Sequence, residues 1–156
     1  MVFVSLGTQD KEFRRLLEMV DNLINDGIIQ DKVIAQVGCT KYQSNNIKIY
    51  DYLDQDSFKK HIKDAKYVII HGGVGSIFDC LNLGKKVIAV PRLSRYGEHH
   101  NDHQLQVVSE FSRDGYILDG SNLSEAVKKI DKFEPKKYES NNANFINIIT
   151  NYIDKN

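Results

Sequence analysis

The chain has 156 residues, of which 41% are apolar and 27% charged, enough for one domain with a real core and too few for two comfortable ones. Lysine plus arginine and aspartate plus glutamate number 21 each, so the formal charge is zero and nothing electrostatic favours nucleic acid as the main partner. The opening Met1 to Gly7 carries no basic leader and no run reaches the ~18 apolar residues of a membrane span. With two cysteines, Cys39 and Cys80, that do not resemble a disulfide framework, a cytoplasmic setting is expected, with any membrane contact peripheral.

In chain order, Val2 to Leu6 reads as a buried strand ending in a turn at Gly7-Thr8. Phe13, Leu16, Leu17, Val20, Leu23 and Ile24 have helical spacing, closed by Asp26-Gly27. Lys32 to Val37 and Ile47 to Tyr50 are the next strands. Asp56 or Ser57 is placed to cap a helix carrying Phe58 and Ile62. Tyr67 to Ile70 is a strand apolar on both faces, followed by the glycine loop His71-Gly72-Gly73-Val74-Gly75 and a helix from Ser76 to Leu83. Lys86 to Val90 is a strand ended by Pro91. A polar loop leads into a helix with Leu105, Val107, Val108 and Phe111, and then a short strand, Tyr116 to Leu118. Asn122 with Glu125 resembles a capping box for a helix through Ile130. Residues 134–140 read as a linker, and residues 141–154 as a last helix with Phe145, Ile148, Ile149, Tyr152 and Ile153 along one side. That stripe suits either the domain's own core or a docking face.

Strands alternating with helices predict an α/β domain spanning residues 1–156, a Rossmann-like parallel sheet with helices on both faces. Ligands of such sheets bind beyond the carboxyl ends of the strands. There the glycine loop stands out. Small residues let backbone approach a ligand, and the positive end of the following helix favours a phosphate. Gly7-Thr8 offers a second such turn, and two together suggest a diphosphate. The competing reading is a tight turn that only packs helix on strand.

Other motifs are weaker. Residues 72–77 do not form G-x-G-x-x-G, and no G-x-x-x-x-G-K-[ST] is present. Asp54-Gln55-Asp56 matches the D-x-D of metal-dependent sugar transferases, yet it sits where a helix cap is expected. His99 and His103 are four apart and would share a helix face, but no third zinc ligand is evident, so no metal is expected. No G-x-S-x-G elbow accompanies His71-Gly72-Gly73, which sets aside an esterase.

Val4 to Gln9, Ile70 to Asp79, Leu83 to Pro91 and Asn101-Asp102-His103-Gln104 together resemble the C-terminal domain of family-28 glycosyltransferases. The likeness is nearest to stand-alone versions of that domain, donor-binding subunits of two-part transferases in dolichol-linked GlcNAc transfer and in bacterial exopolysaccharide synthesis. The resemblance implies the C-terminal half of a GT-B fold and a UDP-sugar donor. It implies that Gly7, Thr8, Gly73, Val74, Gly75 and Ser76 hold the diphosphate and that His103 and Gln104 contact the sugar. Asp79 stands where the family usually has a ribose-binding glutamate, with a shorter reach. Tyr52 and Leu53, with Phe58, would flank the uracil. The transfer would be metal-free and inverting, without a cofactor. The acceptor site for a lipid-linked acceptor, and the general base, would come from a membrane-associated partner subunit. Two other readings stay open: a non-catalytic nucleotide-sugar-binding regulatory module, and a small NAD-linked α/β enzyme.

Overall fold

A computed structural model describes residues 1–137 of the chain. The expected helix over residues 141–154 and the end of the expected linker lie outside the described residues.

Six short strands form one parallel sheet: β1 (Val2–Ser5), β2 (Val33–Gln36), β3 (Ile47–Tyr50), β4 (Val68–His71), β5 (Val87–Val90) and β6 (Leu118–Asp119). Their spatial order is β3-β2-β1-β4-β5-β6. Among the described residues four α-helices cross between them, α1 (Arg14–Asn25), α2 (Gln55–Asp64), α3 (Val74–Asn82) and α4 (His103–Arg113), and α5 (Leu123–Ile130) follows β6. Period-two alternation divides the core in two. Val2, Val4, Ile69 and Ile88 face α1 and α5, whereas Phe3, Val68, Ile70, Val87 and Ala89 face α2, α3 and α4. The two-faced Rossmann-like sheet expected from sequence is what the chain forms. No helix among the described residues is long and apolar enough to cross a membrane.

The chain runs outward from β1 in one direction through β2 and β3, then returns to β1's other side with β4 and continues outward. That reversal leaves a crevice beyond the carboxyl ends of β1 and β4, the place where open α/β sheets bind ligands. The buried polar residues gather at this end. Ser5, Gln36 and His71 are the last residues of β1, β2 and β4; Arg92 and Glu98 follow β5, Gln104 lies in the first turn of α4, and Thr40 follows β2.

Beyond one-residue differences at strand ends, which make His71 the last residue of β4, three boundaries differ from the sequence reading. Helix α3 begins at Val74 rather than Ser76, because Gly73 takes an extended N-cap conformation and the helix hydrogen bond from the Ile77 N–H returns to the Gly73 carbonyl. Helix α2 is capped by Asp54 rather than Asp56 or Ser57; its carboxylate accepts from the Ser57 N–H at 2.8 Å and the Ser57 hydroxyl at 2.9 Å. Strand β6 begins at Leu118, since Tyr116 is still tied to the end of α4 by its N–H to the Phe111 carbonyl. Its ring and the Ile117 side chain go into the core instead.

Candidate functional site

The crevice beyond β1 and β4 is a cavity of about 490 Å³, within the ~300–1,000 Å³ usual for small-molecule sites. The floor is made by Ser5, Gly7 and Thr8 from the end of β1 and the turn after it, and by His71, Gly73, Gly75, Ser76 and Asp79 from the end of β4, the turn after it and α3. The opposite wall is Gln36, Tyr52, Leu53, Gln55 and Phe58. The cavity thus brings together Gly7, Thr8, Gly73, Gly75, Ser76, Asp79, Tyr52, Leu53 and Phe58. Val74 does not line this cavity, its side chain packing on the core. His103 does not line this cavity; it opens α4, its N–H donating to Asn101 Oδ1 at 3.0 Å.

Each glycine of the loop has its own reason. A Cβ on Gly73 would stand 2.4 Å from His71 Cε1, and one on Gly7 would stand 2.5 Å from His71 Nε2. Gly7 also needs its φ of +79°, a conformation glycine adopts without penalty. Gly72 has no room because Val108 and Gln104 of α4 press on it. Of these four glycines only Gly75 faces open space, with nothing within 4 Å of an added Cβ. Gly7 and Gly73 therefore clear room for an imidazole, and Gly75 clears room for a ligand.

Helix α3 starts without a side-chain cap. Its first N–H groups have no intrahelical acceptor, and they carry the positive end of the helix dipole into the cavity. Asp79 lies one turn beyond Ser76 on the same face, which places a carboxylate a turn away from the positive end of the helix.

Within this floor His71 is buried between two partners. Its Nε2 is 3.0 Å from Ser76 Oγ and its Nδ1 is 3.2 Å from Gln104 Nε2. Burial, with the nearby Arg92 charge adding to it, pushes the imidazole down to about 3, so it is neutral at physiological pH. Gln104 is itself buried, and its Oε1 accepts from the N–H groups of Gly72 at 3.0 Å and Arg92 at 3.1 Å. Gln104, expected at the sugar, has both ends of its amide bonded to protein groups in this structure.

A second polar assembly joins the loops around the cavity. Arg92 Nη1 donates to the carbonyls of Lys11 and Glu98 at 2.8 and 3.0 Å, and its Nη2 donates to the Leu6 carbonyl. The Glu98 carboxylate receives Arg15 Nε and Nη2 at 3.0 Å each, and the Leu93 N–H at 3.0 Å. Burial lowers Arg92 to about 10, with Glu98 opposing the shift. Gln36 is held similarly: its Oε1 accepts from the Leu53 N–H at 2.8 Å, fixing the wall that carries Leu53. Sequence reasoning assigned no role to Gln36, Arg15 or Arg92. A lone Gln or Arg, at or just past a strand end as for Gln36 and Arg92 or in a helix as for Arg15, looks like a surface residue until its surroundings are known.

The two other motifs resolve locally. Asp54 is the α2 cap, and Ser57 holds its carboxyl below the usual range. His99 precedes α4 rather than sharing a helix face with His103; its Nδ1 accepts from the Asn101 N–H at 3.3 Å and its ring stacks on His100 at 4.5 Å. No group of metal-binding side chains forms among the described residues.

A doubly wound parallel sheet with an anion-friendly crevice at its reversal point is a Rossmann-like domain, of the kind that forms the C-terminal half of the GT-B fold. The profile of the glycosyltransferase family 28 C-terminal domain matches residues 1–155, and the chain belongs to that family. It is similar to the UDP-N-acetylglucosamine transferase subunit ALG13 of Candida albicans, 23% identical over 117 residues that cover 75% of this chain and 37% of that protein. The Homo sapiens protein of the same name is 28% identical over 128 residues, covering 75% of this chain and 11% of that one. The chain thus spans well under half of either relative. Among solved structures, the glycosyltransferase SnogD from Streptomyces nogalater superposes with a TM-score of 0.54 at 14% identity, over 99% of this chain and 38% of that one. The glycotransferase of kitacinnamycin does so with a TM-score of 0.59 at 14% identity, over the same shares. At that identity these two speak for the fold.

Proposed function

We propose that this chain is the donor-binding subunit of a split inverting glycosyltransferase, which moves a sugar from a UDP-sugar to a lipid-linked acceptor. The observation that carries this reading is the crevice itself, in which an uncapped helix start, an open Gly75 and the Ser76 hydroxyl face an apolar wall of Tyr52, Leu53 and Phe58. In this reading the diphosphate lies on Gly7, Thr8 and the Gly73–Ser76 turn, the ribose hydroxyls on Asp79, and the uracil on the Tyr52–Leu53 wall. The sugar points toward the loop that carries His103. As the donor breaks down, negative charge grows on the β-phosphate, where preorganised N–H donors stabilise it without a metal. The acceptor hydroxyl still needs a general base. That base and the acceptor site belong to a membrane-associated partner, which would hold this cytoplasmic subunit at the membrane. The similarity to subunits named for UDP-N-acetylglucosamine transfer supports a UDP-sugar donor and a partner.

The test is a thermal-shift series with UDP, UDP-sugars and NAD, each with chelator and with magnesium. UDP at ~100 times its dissociation constant should add about 2.7 kcal/mol, equally in both conditions. A shift with NAD and none with UDP would overturn the reading, and a shift with UDP only in magnesium would overturn its metal-free part. Sugar transfer should appear on adding the membrane partner; UDP-sugar binding that never yields transfer with it would leave a regulatory module.

A further inference from the structure

Gln104, His71 and Ser76 form a chain of hydrogen bonds whose direction can be deduced. Two backbone N–H groups, from Gly72 and Arg92, point at one end of the Gln104 amide, at 3.0 and 3.1 Å. Only the oxygen can face two donors, so the amide NH₂ faces His71 Nδ1 at 3.2 Å. That nitrogen must then be the bare, accepting one. The ring proton sits on Nε2 and is donated to Ser76 Oγ at 3.0 Å. Ser76 has one proton of its own, which meets no protein acceptor among the described residues, and Ser76 lines the cavity.

The geometry points to Gln104 as a positioning residue that locks His71 in its Nε2–H tautomer and thereby turns the Ser76 hydroxyl proton into the cavity. An oxygen-rich anion at the start of α3 then receives a hydroxyl donor whose direction is set before binding. With the nucleotide-sugar reading, on which this part rests, that anion is the donor diphosphate. The same chain disfavours an imidazolium, since a proton on Nδ1 would oppose the Gln104 NH₂. Burial of the ring acts in the same direction. The glycines at 7 and 73, which lie close against the ring, keep His71 from flipping and so from putting ring carbons where its nitrogens now stand.

The direct measurement is long-range ¹H–¹⁵N correlation of the imidazole in the ligand-free protein. A bare Nδ1 and a protonated Nε2 are expected for His71; the opposite tautomer overturns the proposal. Gln104→Glu replaces the NH₂ by a second acceptor and should move the proton to Nδ1, with the backbone amide spectrum otherwise retained. An unchanged His71 tautomer in that variant removes Gln104 from its role. Binding of UDP completes the test through a double-mutant cycle. Ser76→Ala should weaken UDP about tenfold and leave uridine unaffected. Gln104→Glu should cost about tenfold more in the Ser76 protein than in Ser76→Ala. Equal losses in both backgrounds would mean the added charge acts alone, and the relay would be overturned. If the wild-type protein binds no UDP, the nucleotide reading and the diphosphate end of the relay fall together, and the tautomer result alone decides the Gln104–His71 lock.

Discussion

At residue scale, the glycine loop separates two demands that a sequence motif merges. Gly73→Ala drives a methyl against the His71 ring, and overpacking of this kind costs about 1–3 kcal/mol. Gly75→Ala meets nothing in the protein. It should leave the melting temperature unchanged or slightly raised, while UDP affinity falls about tenfold or more, since the close approach of the phosphate is what the missing Cβ permits. Melting and titration of the two variants check this; Gly75→Ala with full affinity would place the diphosphate elsewhere. His71 also sets a pH dependence. Its folded value is depressed to about 3 from an ordinary 6.5, so below that ordinary value the unfolded chain binds the extra proton. The stability this neutral ring contributes is complete above pH 6.5 and is lost as pH falls toward 3. The slope is up to about 1.4 kcal/mol per pH unit. Denaturant midpoints between pH 7 and 4 should show it, and His71→Asn should flatten it.

At the scale of elements, the strands and helices were legible because apolar periodicity is strong and the turns carry glycine. What was not legible was how the ends close. Tyr116 and Ile117 read as strand from their side chains, yet the backbone there completes α4. Likewise Gln104 sits in a motif that suggests sugar contact, but its burial spends the amide on Gly72, Arg92 and His71. Sequence does not record which polar residues are buried. The apolar and glycine residues of the cavity could be named in advance, whereas the polar layer of Gln36, Arg92 and Glu98 could not. That layer makes its own predictions. Glu98→Ala removes the acceptor of Arg15 and of the Leu93 N–H, and hydrogen bonds to a charged group are worth about 1.5–3 kcal/mol. Chemical denaturation should show a loss of that size. Asp54→Ala should lower the melting temperature by removing the α2 cap and leave UDP affinity alone, with or without magnesium. A magnesium-dependent loss would revive Asp54 and Asp56 as ligands.

For the whole molecule, the sheet has a dry end and a polar end. Its middle is walled by Val and Ile from both faces, while the buried polar groups collect beyond the carboxyl ends of β1, β2, β4 and β5. Local opening costs least where apolar contacts are fewest. Hydrogen exchange should therefore protect the amides of Val4 and Ile69 more than those of the loop at residues 93–103, and UDP should slow exchange mainly around Gly7 and Gly75. Uniform protection across the domain would contradict this division.

The imidazole of His71 lies wedged between Gly7 and Gly73, with no space for a methyl on either side. Two loops that are distant in sequence therefore cannot shift apart or together without first displacing one ring. A cradle held in this way is already in its binding shape, so little freedom remains to be lost when a ligand arrives. Association should then be single-phased and limited by encounter, with no slow closing step after it, and the heat capacity change should be small, reflecting only the apolar surface that the ligand covers.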